Sequence, residues 1–166
     1  MIAPELAAWQ GFYTTTAEAA ATLAGLVMVA VSVNVRQILA HKHLPARAFG
    51  AVSGLMLTLV MSLLGQVPQP LETFAIELTV ATGLGWVLFV ITAAQVVVGH
   101  IRIRRPRHET ALGVLLGVIQ VAPLTAGAAL LLHGHAEGLY WAAATMAAAL
   151  VVSVINAWVL LVEILR

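Results

Sequence analysis

Residues 95–115 read QVVVGHIRIRRPRHETALGVL: four arginines (Arg102, Arg104, Arg105 and Arg107) wedged between two long apolar runs. Outward along the chain, Arg36, Lys42 and Arg47 bracket a second basic gap, and Arg166 completes the eight Lys and Arg. The other two gaps between apolar runs, residues 66–73 and 133–138, hold neither residue. In a chain that crosses a membrane repeatedly, Lys and Arg gather in the cytoplasmic connectors. Alternate gaps are basic here, so every apolar run is expected to be a crossing. Residues 41–47 and 102–108 are then cytoplasmic.

Composition points the same way. Apolar residues make up 61% of the chain and charged residues 9%, with no Asp. A water-soluble domain carries about 25% charged residues. A chain of 166 residues cannot hide this much apolar surface in one soluble core, so lipid is the expected solvent. Five of the seven Glu (Glu5, Glu18, Glu72, Glu77 and Glu137) fall in or beside the stretches without Lys or Arg. The absence of Cys excludes disulfides, thiolate metal sites and a cysteine nucleophile. Residues 1–10 have no basic stretch, and no cleaved signal peptide is expected.

An α-helix needs about 20 apolar residues to cross the hydrocarbon core. Five segments qualify, at about 13–37, 46–66, 73–99, 111–132 and 139–165. Pro4, Pro45, Pro70 and Pro106 each stand just ahead of a run, where a missing backbone donor costs little. The expected fold is a single all-α transmembrane bundle over 1–166, with neighbours in sequence antiparallel in space. Five crossings put the N-terminus outside and the C-terminus in the cytoplasm. Trp9, Tyr13, Tyr140 and Trp141 are placed for an outer aromatic belt. The chain has no internal repeat, phosphate loop or dinucleotide fingerprint. Its basic connectors are too short for a nucleic-acid surface and suit anionic lipid.

The first run carries the most specific pattern. Thr15, Glu18, Thr22, Gly25, Val29, Ser32 and Arg36 recur at spacings of three and four, which form one stripe on a helix. All but Val29 are small, polar or charged, whereas Leu23, Leu26, Val27, Ala30 and Val33 make an apolar face. An ionised carboxylate in hydrocarbon costs several kcal/mol, so Glu18 should face water, find a partner or take up a proton. Two readings stand. The stripe lines an ion or proton path, or it is a packing seam in which Glu18 sits near the headgroups.

In the second run Ala46, Gly50, Gly54, Thr58 and Ser62 fall four residues apart. Gly50 and Gly54 form a GxxxG pair, a signature of close helix approach. Near the end of the chain, Asn156 and Glu163 are packing candidates. Glu163 is expected to pair with Arg36, or with Arg166 on its own helix. Asn156, Gln95 and Gln120 are expected to hydrogen-bond across helices. Pro123 predicts a kink, with Thr125 satisfying the freed backbone. His133, His135 and Glu137 carry metal-binding donors in an outer turn, as His41 and His43 do on the other side. Two His are too few to specify a site, and a solvated turn is expected. His100 and His133 lie at opposite faces, against paired haem ligation, and the one Lys, Lys42, lies outside the membrane, against a retinal linkage. No cofactor or metal is expected.

Residues 19–34 (AAATLAGLVMVAVSVN), 44–48 (LPARA) and 138–166, closing on NAWVLLVEILR, resemble a family of small, functionally uncharacterised bacterial multi-pass membrane proteins. The resemblance covers nearly the whole chain and implies a location in the bacterial plasma membrane. It supplies no catalytic residue. With no room for a soluble catalytic domain, the chain is expected to be non-enzymatic and homo-oligomeric. The expected function is an ion channel whose path runs along the first stripe, from Glu18 to Arg36. The alternative is a non-conducting accessory subunit packed against a larger membrane protein.

Overall fold

The computed structural model describes residues 3–40, 44–103 and 107–164. Side chains are described for these except 44, 46–47, 96, 99–103, 107–110, 112–113, 116, 120 and 159–164. The described residues form helices α1 (Pro4–Ala7), α2 (Gln10–Val33), α3 (Val35–Ala40), α4 (Leu44–Gln66), α5 (Leu71–Ile103), α6 (Arg107–Leu132) and α7 (Gly138–Ile164). No strand occurs among them. Four segments are long and apolar enough to cross a membrane: Gln10–Val33, Ala48–Gln66, Leu71–Gln95 and Gly138–Trp158. Within α6 the apolar stretch is the shorter Gly117–Leu132.

Local chemistry sets the ends. The run expected over 13–37 is split, because Asn34 leaves the helical region (φ −106, ψ 14) between α2 and α3. Its side-chain Nδ2 donates to Ala30 O at 2.9 Å. A short amide side chain that competes for backbone carbonyls ends a helix. Upstream, Pro4 opens the one-turn α1, which the sequence reading missed, and Trp9 makes the bend into α2. The turn after α6 is a Schellman motif. Gly134 takes φ +79, its N–H reaches Leu131 O at 2.9 Å, and that of His135 reaches Leu130 O at 2.9 Å.

Helices α4, α5, α6 and α7 pack in a ring, each against the next and α7 back against α4. Helix α2 lies outside this ring, mainly against α4 and less against α7. The larger core cluster fills the end of the bundle nearest α1 with Leu6, Tyr13, Phe74, Leu78, Leu124 and Leu139 among others. A smaller one, Ala24, Val27, Ala51 and Leu55, joins α2 to α4 further in. Helices α6 and α7 meet at Gly127 and Gly138, where a Cβ on Gly127 would stand 2.8 Å from Gly138 O. Large apolar side chains cover the outside, including Val33, Val80, Val90, Val151 and Trp158. That surface suits acyl chains and not water.

One aromatic moves from its expected place. Tyr13 is fully buried, against Phe74 and over Gly65, and does not stand in an outer belt. Trp9 packs edge-on against Tyr140 with ring centroids 4.9 Å apart. Trp9, Tyr140 and Trp141 are therefore grouped at one end of the bundle.

Candidate functional site

The α2 stripe faces away from its own bundle. Thr15, Glu18, Thr22, Gly25, Val29 and Ser32 are all exposed, and Arg36, also exposed, stands beyond the Asn34 break on α3. A Cβ on Gly25 would meet nothing within 4 Å. The side of α2 turned to α4 and α7 is the line Tyr13, Thr16, Ala17, Ala20, Ala24 and Val27. Of the apolar face read from the sequence, Val27 is buried there and Leu23 and Ala30 are half-buried. Leu26 and Val33 point outward at 63% and 77% exposure, and alanines point inward. Where lipid replaces water, large apolar side chains gain nothing by turning in, and small ones let helices approach.

The stripe hydroxyls are already bonded to their own helix. Thr15 Oγ1 donates to Gly11 O at 2.9 Å, Thr22 Oγ1 to Glu18 O at 2.8 Å and Ser32 Oγ to Met28 O at 2.8 Å. Each hydrogen is thus spent on a carbonyl one turn back, and the oxygen presents only lone pairs outward. Among the described residues the Glu18 carboxylate has no hydrogen-bond or ion-pair partner. At a rise of about 1.5 Å per residue it lies about 13 Å along the helix axis from Trp9. It is the ninth residue of the apolar segment Gln10–Val33, which is long enough to cross a membrane.

The other sequence candidates separate. On α4, Thr58 and Ser62 are buried in the bundle, while Gly50 and Gly54 are half-buried. A Cβ on Gly50 would sit 3.8 Å from Thr92 Cγ2, an ordinary contact, so no tight approach occurs there. The seam between α4 and α7 is polar: Ser153 Oγ donates to Ala51 O at 3.3 Å, and Ser62 Oγ stands 3.9 Å from Met146 Sδ. Asn156 is half-buried and Gln95 exposed, and neither forms a side-chain hydrogen bond among the described residues. The side chains of Glu163, Gln120 and His100, and residues His41, Lys42, His43 and Arg166, lie outside the described set. So does the expected pair between Glu163 and Arg36.

Helix α6 runs on through Pro123. Thr125 Oγ1 donates to Val121 O at 3.4 Å and accepts from Trp86 Nε1 at 2.9 Å, so it does not serve the carbonyl of Ile119. His133, His135 and Glu137 are exposed. Among the described residues no group of three His, Cys, Asp or Glu could hold a metal ion.

Sequence reasoning missed a polar clasp at the end of the bundle nearest α1. Buried Gln69 donates to Glu77 Oε2 at 2.7 Å and to Leu64 O at 3.0 Å, and its own carbonyl accepts from Ala3 N at 3.2 Å. Gln10 Nε2 donates to Gly65 O at 3.0 Å, and Gln66 Nε2 to Ser62 O at 3.2 Å. The available signal was QVPQP at 66–70, two amides set among prolines whose own nitrogens cannot donate.

Comparison with family models, with characterised proteins and with solved structures returns no match. The α2 face therefore stands on its geometry alone.

Proposed function

We propose that this chain is a five-span protein of the bacterial plasma membrane that assembles with copies of itself into an ion channel. The α2 stripe of each copy faces a shared axis. One observation carries this: Glu18 lies inside the apolar segment Gln10–Val33, turned away from its own bundle and without a partner among the described residues; with Trp9 at the outer boundary it would lie about 13 Å deep. A charged carboxylate at that depth costs about 2.5–3.5 kcal/mol on insertion scales when it faces lipid. Contact with other copies around a wetted axis removes that cost. Parallel copies would repeat Glu18 as a ring, a usual device for selecting cations. The hydroxyls of Thr15, Thr22 and Ser32 favour cations over anions, since their hydrogens are held by their own helix.

The five-span topology, with the N-terminus outside and the basic gaps in the cytoplasm, is supported by α6. It lies between α5 and α7 in the ring, and the connectors on its outer side are short. Along α7, Tyr140 and Trp158 are about 27 Å apart, close to the thickness of the hydrocarbon core. Reconstitution tests the channel. Protein in liposomes should pass monovalent cations, and Glu18→Gln should reduce the flux at least about tenfold. Absence of flux, or an unchanged flux in Glu18→Gln, contradicts it.

A second reading is a non-conducting accessory subunit whose α2 face packs against a larger membrane protein. The same intrahelical hydroxyl bonds favour it, because a face with its donors satisfied needs no water. A stoichiometric heterologous partner on crosslinking, without self-association, would select this reading.

A further inference from the structure

The segment ahead of α2 is folded down onto the bundle. Ala3 N–H donates to Gln69 O at 3.2 Å, and α1 places Leu6, 0% exposed, in the buried cluster that also holds Tyr13, Phe74 and Ala75. Within that cluster Tyr13 is likewise 0% exposed, and its hydroxyl is the one buried side-chain polar atom without a hydrogen-bond partner among the described residues. Phenylalanine would fill the same space and leave no donor unpaired, so the hydroxyl is a liability in this arrangement. The polar groups of the same end do not relieve it. Gln10 is bonded to Gly65, Gln66 to Ser62, and Gln69 to both Leu64 and Glu77. Opening the cluster to water would satisfy the phenol, whereas keeping it closed favours Leu6.

We propose that α1 is a lid over the outer end of the bundle, with Leu6 as its latch and the unpaired Tyr13 hydroxyl as the group that favours release. The bend at Trp9 (φ −99, ψ 0) is the pivot, and the packing of Trp9 on Tyr140 holds that pivot in place while α1 moves. One turn of helix, the buried Leu6, the packing of Ala3 and one backbone hydrogen bond to Gln69 keep the lid shut.

The chain has no Cys, so single cysteines report accessibility without background. In right-side-out vesicles a membrane-impermeant maleimide should label Leu6→Cys far more slowly than Ala8→Cys, an exposed position on the same segment. Adding Tyr13→Phe should slow Leu6→Cys labelling about tenfold, since the closed state then holds no unpaired hydroxyl. Ala75→Cys, buried in the same cluster, leaves the latch intact and should follow the same order. Leu6→Cys labelling as fast as Ala8→Cys would overturn the lid. Labelling of both buried probes that is unchanged or faster with Tyr13→Phe would overturn the role of the hydroxyl.

Discussion

Individual residues divide by whether the sequence carries their surroundings. The periodicity of Thr15, Glu18, Thr22, Gly25 and Ser32 was legible because it is a property of one helix. Whether that stripe turns toward or away from its bundle was not, because rotation about a helix axis is set by neighbours. Tyr13 has the composition of a belt residue but fills the space over Gly65, where a Cβ would come within 2.7 Å of its ring. Gly65→Ala should therefore destabilise the protein by about 1–3 kcal/mol. Gly25→Ala should change stability by less than about 0.5 kcal/mol, because nothing in the chain stands near that Cβ. Thermal or denaturant unfolding in detergent measures both, and equal effects would refute this account of α2 packing. Glu77→Ala should cost about 1–3 kcal/mol, since it leaves a donor of buried Gln69 unpaired.

Among the elements, existence and approximate extent were written in the apolar runs. Caps and breaks depended on single side chains. The first run breaks at Asn34, whose side-chain amide shares the carbonyl of Ala30 with its own backbone N–H, a short-range event hidden within an otherwise continuous apolar pattern. Asn34→Leu removes that competitor and should join α2 to α3. Spin labels at exposed positions on the two helices would then report the fixed separation of one helix, whereas an unchanged, bent distance would mean that packing of Ile38 and Ala48 sets the break. The small-residue pattern on α4 was legible as packing, but a Cβ on Gly50 would make only an ordinary contact, whereas Gly127 and Gly138 meet with no room for one. No GxxxG spacing marks that pair, because the glycines belong to different helices. Gly138→Ala should destabilise the hairpin of α6 and α7 by about 1–3 kcal/mol.

The whole molecule follows from the solvent. The alternation of gaps with and without Lys and Arg is the basis of the proposed topology, and lipid explains why alanines face inward on α2 while Leu26 and Val33 face out. What assembles around the molecule was not legible, since a stripe of small and polar residues serves packing within a chain and between chains alike. The central claim is that the α2 face is where copies of this chain meet, and cysteine crosslinking in native membranes tests it most directly. With Gly25→Cys, oxidation should give disulfide-linked dimers of this chain, while Val80→Cys and Leu84→Cys, exposed on α5, should stay monomeric. A monomeric Gly25→Cys under conditions that crosslink an α5 position would contradict it.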